Sequence, residues 1–479
     1  MTTPPTPAAA TAALLTLLAG TALAAEPTQR LEISPDGRTR AQLPIADQAP
    51  HGAVAVGVPF NATPDYTLNE RRPIGGLAIA DLNGDGYNDL AACAYTANSF
   101  PPYDDSRDFI LFGSASGLEA TPSWFTSNET HTADIQVGDI NLDTFPDLVT
   151  IHGGGLRSDS VRVYFGSASG PSNTAGWISS TNPSVWGTDG LLVDVDNDND
   201  LDVVTTNQGA STPNHLRPNF IFTNNAGVLE SDPSWESSVW EISNGVAARD
   251  ITGDGFPELA FAKWVNFVSG IHLNTTGTPD TLPSLQVNNT NADKGAVFMD
   301  VEGDGPSEVV FGGEPTTVYA TVHGFLDPLT STMPPFDSIS EVEAADVDLD
   351  GDDDLLEVHF ADGRAHLYLN NDGVLDQVPS WTFDATEVGN AIAVGDLNND
   401  GTPDLAIGYA GNTCIRVFYG IPQSCPADYN GDDEADFFDI SAFLMDLANE
   451  DPRADINEDN AWDFFDISAF LAIFADGCP

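Results

Sequence analysis

Asp81-Leu82-Asn83-Gly84-Asp85-Gly86-Tyr87-Asn88-Asp89 is an acidic loop set between two apolar runs. Oxygen-bearing side chains stand at loop positions 1, 3, 5 and 9, and a turn-forming residue stands at 6. Further copies start at Asp139, Asp194, Asp250, Asp300, Asp346 and Asp396, spaced 46 to 58 residues apart. Self-similarity at a near-constant period marks a repeat architecture. Asp81, Asn83 and Asp85 alternate, so a tightly turning backbone can aim three oxygens at one point. Position 7 can add its carbonyl, and Asp89 closes the shell. Hard oxygens at this density suit Ca²⁺, which takes about 6–8 oxygen ligands in flexible geometry. Mg²⁺ fits less well because it demands a regular octahedron and keeps its waters. Zn²⁺ prefers His or Cys, and neither occurs in any copy of the loop.

The chain has 479 residues, 41% of them hydrophobic, enough for a large core. Lys and Arg number 15 against 73 Asp and Glu, a formal charge of −58. A nucleic-acid partner is excluded on this balance, because the phosphate backbone would be repelled. An anionic membrane surface is disfavoured for the same reason. The aromatics and regular apolar strands argue against disorder. Residues 8–24 are small and apolar, with Leu14, Leu15, Leu17 and Leu18 at the centre and Ala22-Leu23-Ala24 as a cleavage site. This predicts a signal peptide over 1–24 and a secreted or cell-surface protein, although Met1 to Pro7 carry no Lys or Arg. No later run is long enough to span a membrane.

Residues 25–63 form a polar, Pro-rich extension. Over 64–420 each repeat follows one plan. An apolar strand such as Gly76–Ala80 leads into the loop and a second such as Leu148–Ile151 leaves it. A third alternates, as in Val161–Phe165, and an outer strand carries Pro-Ser-Trp. Four strands per repeat and seven repeats predict a mostly β protein, a seven-bladed β-propeller. Trp124, Trp235 and Trp381 each lie 15 residues before the next loop and mark blade-to-blade packing. Trp177, Trp186, Trp240 and Trp264 do not share that register and could instead form a flat binding face. The last repeat lacks an outer strand, so Asp65–Glu70 is expected to supply it and remove two sheet edges.

Asp-x-Asn-x-Asp-Gly-x-x-Asp between apolar strands, followed by Val-x-Val-Tyr-Phe-Gly, resembles the FG-GAP/VCBS repeats of integrin-α-like propellers. The resemblance covers about three quarters of the chain. It implies a seven-bladed ring with Ca²⁺ in the loops of one face and ligand binding on the other. By motif it implies ligand sets at Asp139, Asn141, Asp143 and Asp147; at Asp194, Asp196, Asp198 and Asp202; at Asp346, Asp348, Asp350 and Asp354; and at Asp396, Asn398, Asp400 and Asp404. Two copies depart from the pattern. The fourth comprises Asp250, Thr252, Asp254 and Glu258, and the fifth Asp300, Glu302, Asp304 and Glu308. Glu is one methylene longer than Asp, so these cages are looser. Thr144 and Asn199 replace Gly at position 6, where Asn tolerates a left-handed turn and Thr does so poorly.

Residues 425–479 form a different unit. Two copies lie 27 residues apart: Asp428, Asn430, Asp432, Asp436 and Asp439, then Asp455, Asn457, Asp459, Asp463 and Asp466. Positions 1, 3, 5, 9 and 12 are the spacing of an EF-hand loop. Each loop runs into Ile-Ser-Ala-Phe-Leu, an amphipathic helix start. Loop plus exiting helix, duplicated and framed by Cys-Pro, resembles a GC-type dockerin-like tail, which implies a small α-helical domain and a cohesin-like or surface anchoring partner. Phe437, Phe438, Phe464 and Phe465 stand where dockerins often carry partner-reading residues, but they are expected rather to fill the small domain's core. Cys425 and Cys478 are expected to pair across its ends. For Cys93 and Cys414 a bridge and two free buried thiols are equally open.

No P-loop, dinucleotide fingerprint or His-Glu-x-x-His occurs, and Gly113-Ser-Ala-Ser-Gly117 and Gly166-Ser-Ala-Ser-Gly170 are strand turns rather than nucleophile elbows. His152, His272 and His359 read as structural residues. His131, His215, Arg217 and Tyr103 keep an enzyme weakly open. The reading that follows is a secreted, Ca²⁺-binding propeller that binds an extracellular glycan or protein and is anchored by its dockerin-like tail. The alternative is a polysaccharide-degrading lyase or hydrolase delivered by that tail.

Overall fold

The computed structural model describes residues 58–421 apart from 96–104, 106, 129–130, 154–160, 181–184, 210–216, 239–241, 265–267, 288–292, 302–307, 314, 323–324, 332–338 and 372. It also describes 32–33, 39–40, 427, 429–430, 437–449, 451–456 and 461–476. The signal peptide expected over 1–24 lies outside the described residues, as do Trp240, Cys425 and Cys478. No helix among the described residues is long and apolar enough to cross a membrane.

Each acidic loop joins the first and second strands of an antiparallel sheet. In one such sheet Thr132–Gly138, Asp147–His152, Val161–Tyr164 and Trp177–Ile178 pair in that order. Four more sheets of four strands open on Val185–Val193, Ser243–Arg249, Gly295–Met299 and Ile339–Ala345. The first strand of each sheet packs on the first strand of the next, and Val388–Gly395 packs back on Arg72–Ala80. That closed circuit is a β-propeller.

The expectation of seven separate sheets is corrected. Five four-stranded sheets stand apart, Glu32–Ile33 with Thr39–Arg40 and Asn370–Asn371 with Val374–Leu375 form two small two-stranded sheets, and eight further strands form one sheet. Its two halves meet where Asp404–Gly411 runs past its own partner and pairs with the start of Arg72–Ala80, through Ala410↔Pro73 and Gly411↔Arg72. Pro73 has no N–H to give to a regular ladder, and its strand joins its own sheet only from Ile74 onward. Tyr66–Leu68 pairs with Ile415–Phe418, so the N-terminal strand does complete the last repeat.

The second strands are buried at every residue in Asp89–Ala94, Asp147–His152, Glu258–Lys263 and Asp354–His359. Sheets cover both of their faces, which is why the sequence there is a continuous apolar run rather than an alternation. The first strands carry a shared irregularity. Their register shifts at Thr132/Asp134, Gly187/Asp189, Ser243/Gly245, Ile339/Glu341 and Gly389/Ala391. Such a bulge re-aims side chains. Here Asp134, Asp189, Asn244, Glu341 and Asn390 at the bulges line a central cavity of about 50 Å³, together with Lys294 of the fifth repeat, whose first strand has no bulge. These groups link the strands around the ring. Asp134 Oδ2 accepts from Gly190 N–H at 3.1 Å, Asp189 Oδ2 from Val246 N–H at 2.9 Å, and Glu341 Oε2 from Ile392 N–H at 2.9 Å. Asn390 Nδ2 donates to the Ile74 carbonyl at 2.8 Å.

The outer rim is tied by tryptophan. Trp124, Trp235 and Trp381 open outermost strands, and their indole N–H groups donate to Pro171, Pro279 and Asn61 carbonyls at 2.9, 2.8 and 3.1 Å. Trp177 does the same to Leu229 at 3.2 Å, so it belongs to this series and not to a separate binding face. Its spacing to the next loop differs because two more residues separate its outermost strand from Asp194. Trp186 lies in a first strand and Trp264 is partly exposed after a second strand. Cys93 and Cys414 are free, buried thiols in separate apolar clusters, so no bridge locks the seam.

In the tail, helices α1 (Phe437–Ala448) and α2 (Phe464–Asp476) follow the two loops. Phe443 and Phe470, 27 residues apart like the loops, stack at 4.2 Å and form the core with Ala454. The expectation that Phe437, Phe438, Phe464 and Phe465 fill that core is overturned. They are 65% to 72% exposed. They sit at the first turn of each helix, and the helical period sends Phe443 and Phe470 inward instead.

Backbone handedness sets the loops. Positions 4 and 6 both adopt left-handed φ: Gly84 and Gly86 at 72° and 89°, Leu142 and Thr144 at 61° and 76°, Leu349 and Gly351 at 62° and 101°. Leu142 is half exposed and makes no core contact that would offset the strain. Leu142→Gly is therefore expected to stabilise the protein by about 1 kcal/mol, read as a higher denaturant midpoint with unchanged cooperativity.

Candidate metal loops

Position 1 organises each loop by accepting from its backbone. Asp81 Oδ1 takes Gly84 N–H at 2.7 Å and Asp85 N–H at 3.1 Å, and its Oδ2 takes Gly86 N–H at 2.8 Å. Asp139, Asp194, Asp250, Asp346 and Asp396 repeat the last two contacts with Asp143 and Thr144, Asp198 and Asn199, Asp254 and Gly255, Asp350 and Gly351, and Asp400 and Gly401. Position 3 accepts from position 5 in Asn83, Asn141 and Asn398, each at 2.9 Å. Thr252 holds that place in the fourth loop and is exposed.

Position 9 differs from the others. It is the first residue of each second strand and is buried in every repeat: Asp89, Asp147, Asp202, Glu258, Glu308, Asp354 and Asp404. One oxygen accepts the N–H of loop position 2, as Asp89 does from Leu82 at 2.8 Å and Asp404 from Leu397 at 2.7 Å. The other accepts a backbone N–H just past the third strand: Gly113 for Asp89, Gly166 for Asp147, Asn224 for Asp202, Asn274 for Glu258, Asn370 for Asp354 and Gly420 for Asp404. One carboxylate thus pins the loop to the third strand of its own sheet. Three of the residues that donate there carry a second link. Asn224, Asn274 and Asn370 each donate their side-chain amide to position 2 of the preceding loop, at Ile140, Val195 and Val301 carbonyls.

In the third and sixth loops the carboxylates converge. One oxygen each of Asp194, Asp196 and Asp202 lie within 4.8 Å of one another, and so do those of Asp346, Asp348 and Asp354. Burial, with neighbouring carboxylates behind it, pushes Asp354 up to about 9 and Asp346 up to about 7. Burial likewise lifts Asp202 to about 7 and raises Asp196 and Asp348. Both Asp348 oxygens and Asp196 Oδ1 are buried without a hydrogen-bond partner. Acceptors that are buried, crowded and unsatisfied are suited to a divalent cation, which supplies positive charge where water is excluded. The donor set therefore fits Ca²⁺: all oxygen, acidic, and gathered on one turn.

Of the remaining predicted ligands, Asp300 and Glu308 flank the fifth loop, with Glu308 accepting Val301 N–H at 3.3 Å, while Glu302 and Asp304 lie outside the described residues. In the tail Asp439 and Asp466 are buried. Asp439 Oδ1 accepts Asn430 N–H at 2.9 Å, and Asp466 Oδ2 accepts Asp463 N–H at 2.8 Å. Asp455 follows the short 3₁₀ turn Pro452–Ala454. Asp428, Asp432, Asp436, Asn457 and Asp459 lie outside the described residues, and so do Tyr103 and His215. His272 is structural: its Nδ1 meets the Asp280 carbonyl at 2.6 Å, and burial drops it to about 4. His152 Nε2 meets Thr150 Oγ1 at 2.9 Å.

The model of the FG-GAP-like repeat family matches residues 346–407, which is the sixth loop through the second strand of the seventh repeat. No curated protein matches the chain. Among solved structures, one of BBS1N in complex with ARL6DN, soaked with lead, aligns at a TM-score of 0.53 with 12% identity. It covers 76% of this chain and 98% of that one. A second, of the same complex soaked with mercury, aligns at 0.51 with 10% identity, covering 74% and 94%. At these identities the likeness is one of fold.

If position 9 is a clamp as well as a ligand, its loss costs stability whether or not a cation is present. Asp404→Ala leaves two buried N–H groups unpaired and is expected to cost about 3 kcal/mol or more in excess chelator. Asp400→Ala, at an exposed position, is expected to cost far less there. Equal costs in urea denaturation with chelator would remove the clamp role.

Proposed function

We propose that this is a secreted, Ca²⁺-binding propeller that presents a rigid face to an extracellular glycan or protein, and that its C-terminal unit is a dockerin-like anchor. In this reading the eight-stranded sheet counts as two blades, giving seven. The observation that carries the Ca²⁺ assignment is the buried, unsatisfied carboxylate oxygens of Asp348 and Asp196 within converging triads. In the sixth loop Asp346, Asp348, Asp350 and Asp354 would hold the ion, and the other loops would do so by the same positions. The bound cation supplies positive charge that relieves carboxylate repulsion; the chain's own backbone N–H groups already orient positions 1, 3 and 9 to receive it. A loop face held rigid by the metal-filled face opposite it has little to lose in entropy on binding, which supports a recognition role.

The anchor reading is supported by the paired loops, the Phe443–Phe470 stack and the exposed Phe437, Phe438, Phe464 and Phe465. Four exposed phenylalanines on a unit this small form the kind of apolar surface that marks a protein–protein contact.

Three measurements test the proposal. Chelation is expected to lower the melting temperature sharply, with Ca²⁺ restoring it at concentrations where Mg²⁺ does not; unchanged melting in excess chelator would refute the metal assignment. Incubation with a panel of polysaccharides is expected to leave every polymer intact. New reducing ends or unsaturated products would replace the binding module with a polysaccharide-degrading enzyme. For the tail, Asp428→Ala with Asp455→Ala is expected to abolish surface retention without changing the propeller's melting, and retention by that variant would exclude the tail as the anchor.

A further inference from the structure

Away from the acidic loops, a second constellation is built into the sixth repeat. Glu357 and His366 are direct cross-strand partners on its second and third strands. His359 lies two residues beyond Glu357, so the strand period places it on the same face. All three are buried, at 1% to 3% exposure. His359 Nε2 and His366 Nδ1 are 3.2 Å apart. Each of these nitrogens lies 3.9 Å from Glu357 Oε2. Tyr368 Oη is 3.4 Å from the same His366 nitrogen. Tyr368 also joins the apolar cluster between the fifth and sixth repeats, with Val310, Val318 and Leu355.

The spacing is that of a coordination shell. A point equidistant from the corners of a triangle with sides 3.2, 3.9 and 3.9 Å lies about 2.1 Å from each corner. Zn²⁺ binds His nitrogen at about 2.0–2.1 Å and carboxylate oxygen at about 2.0–2.2 Å. Two tetrahedral ligands at such bond lengths stand about 3.3 Å apart, which the separations of His366 Nδ1 from His359 Nε2 and Tyr368 Oη match. The 3.9 Å separations of Glu357 Oε2 are wider, so a tetrahedral ion would draw the carboxylate toward the imidazoles. Two imidazoles and one carboxylate are the donor set of a borderline-soft cation and not of Ca²⁺. The site is also separate from the sixth acidic loop. Asp354 opens the strand that His359 closes, and five residues of strand span about 16 Å.

We propose that Glu357, His359 and His366 form a buried Zn²⁺ site between the fifth and sixth repeats, with the Tyr368 hydroxyl placed to complete the shell. This is independent of the Ca²⁺ reading, because it uses different residues, different donor atoms and a different end of the strand. Its effect would be to cross-link two strands at the end of the sheet away from the loops. Without a metal, the same contact is a hydrogen bond between the two imidazole rings.

The test uses the full chain, expressed in medium supplemented with zinc and dialysed exhaustively against millimolar Ca²⁺ so that the acidic loops hold calcium. Metal analysis is expected to find one zinc per chain in the wild type and none in His359→Gln/His366→Asn. Glu357→Gln, which keeps the side-chain shape, is expected to retain less zinc than the wild type. Cobalt-substituted wild type is expected to show the visible absorption of a four-coordinate, His-ligated ion, and the double variant to lack it. Each variant is checked by its Ca²⁺-dependent melting, so that misfolding is not read as lost zinc. Wild-type protein that keeps no zinc, or a folded double variant that keeps it, would overturn the proposal.

Discussion

The structure depends on a buried carboxylate that accepts two backbone N–H groups. Position 9 of each acidic loop opens a second strand, sits out of water, and binds the N–H of loop position 2. Where the second acceptor contact is seen, it ties the loop to the end of the third strand of its own sheet. A carboxylate so placed satisfies donors that no strand can reach, since the chain is turning on both sides. It also brings negative charge into a place where ionisation is opposed, as the upward shifts of Asp89, Asp202 and Asp404 to about 7 record. The backbone dipoles offset part of that cost, and the rest is what a cation in the loop would relieve. The group serves stability by itself, and in the proposed reading it would serve metal recognition as well.

Around the ring, polar contacts do what apolar packing cannot. The sheets touch through small and branched apolar residues, which are tolerant of sliding. Register between sheets is set by directional bonds at three radii. At the cavity, Asp134, Asp189 and Glu341 each reach the backbone of the next first strand. Midway, Asn224, Asn274 and Asn370 reach the preceding loop. At the rim, the tryptophan indoles reach carbonyls beyond their own strands. The seam uses a different device, since there the strands themselves pair and the N-terminal segment enters the sheet. No disulfide joins Cys93 to Cys414 at that place.

The repeat, the strand order within it and the N-terminal strand's place were legible in the chain, because each is written as a local pattern: an apolar run, an acidic turn, an alternation. The acidic positions of the loops were legible for the same reason. The double duty of position 9 was not, although a recurrent Asn or Gly after each third strand was a visible signal of its partner. The exposed phenylalanines of the tail were misread because hydrophobicity alone does not say which face of a short helix a residue takes. Whether Trp177 packs between blades or forms a binding face was not legible, because its connection to the next loop is longer and counting residues cannot tell a changed loop from a changed role.

By itself the sequence determined that this protein is a ring of acidic-loop repeats followed by a duplicated loop-helix unit, because periodicity and side-chain chemistry are properties of neighbours along the chain. Only the tertiary structure decided that two of the repeats share one sheet, that bulged first strands bring Asp134, Asp189 and Glu341 to the axis, and that Glu357, His359, His366 and Tyr368 meet. Those outcomes rest on residues brought together across strands and between sheets, where distance in the chain carries no information about distance in space.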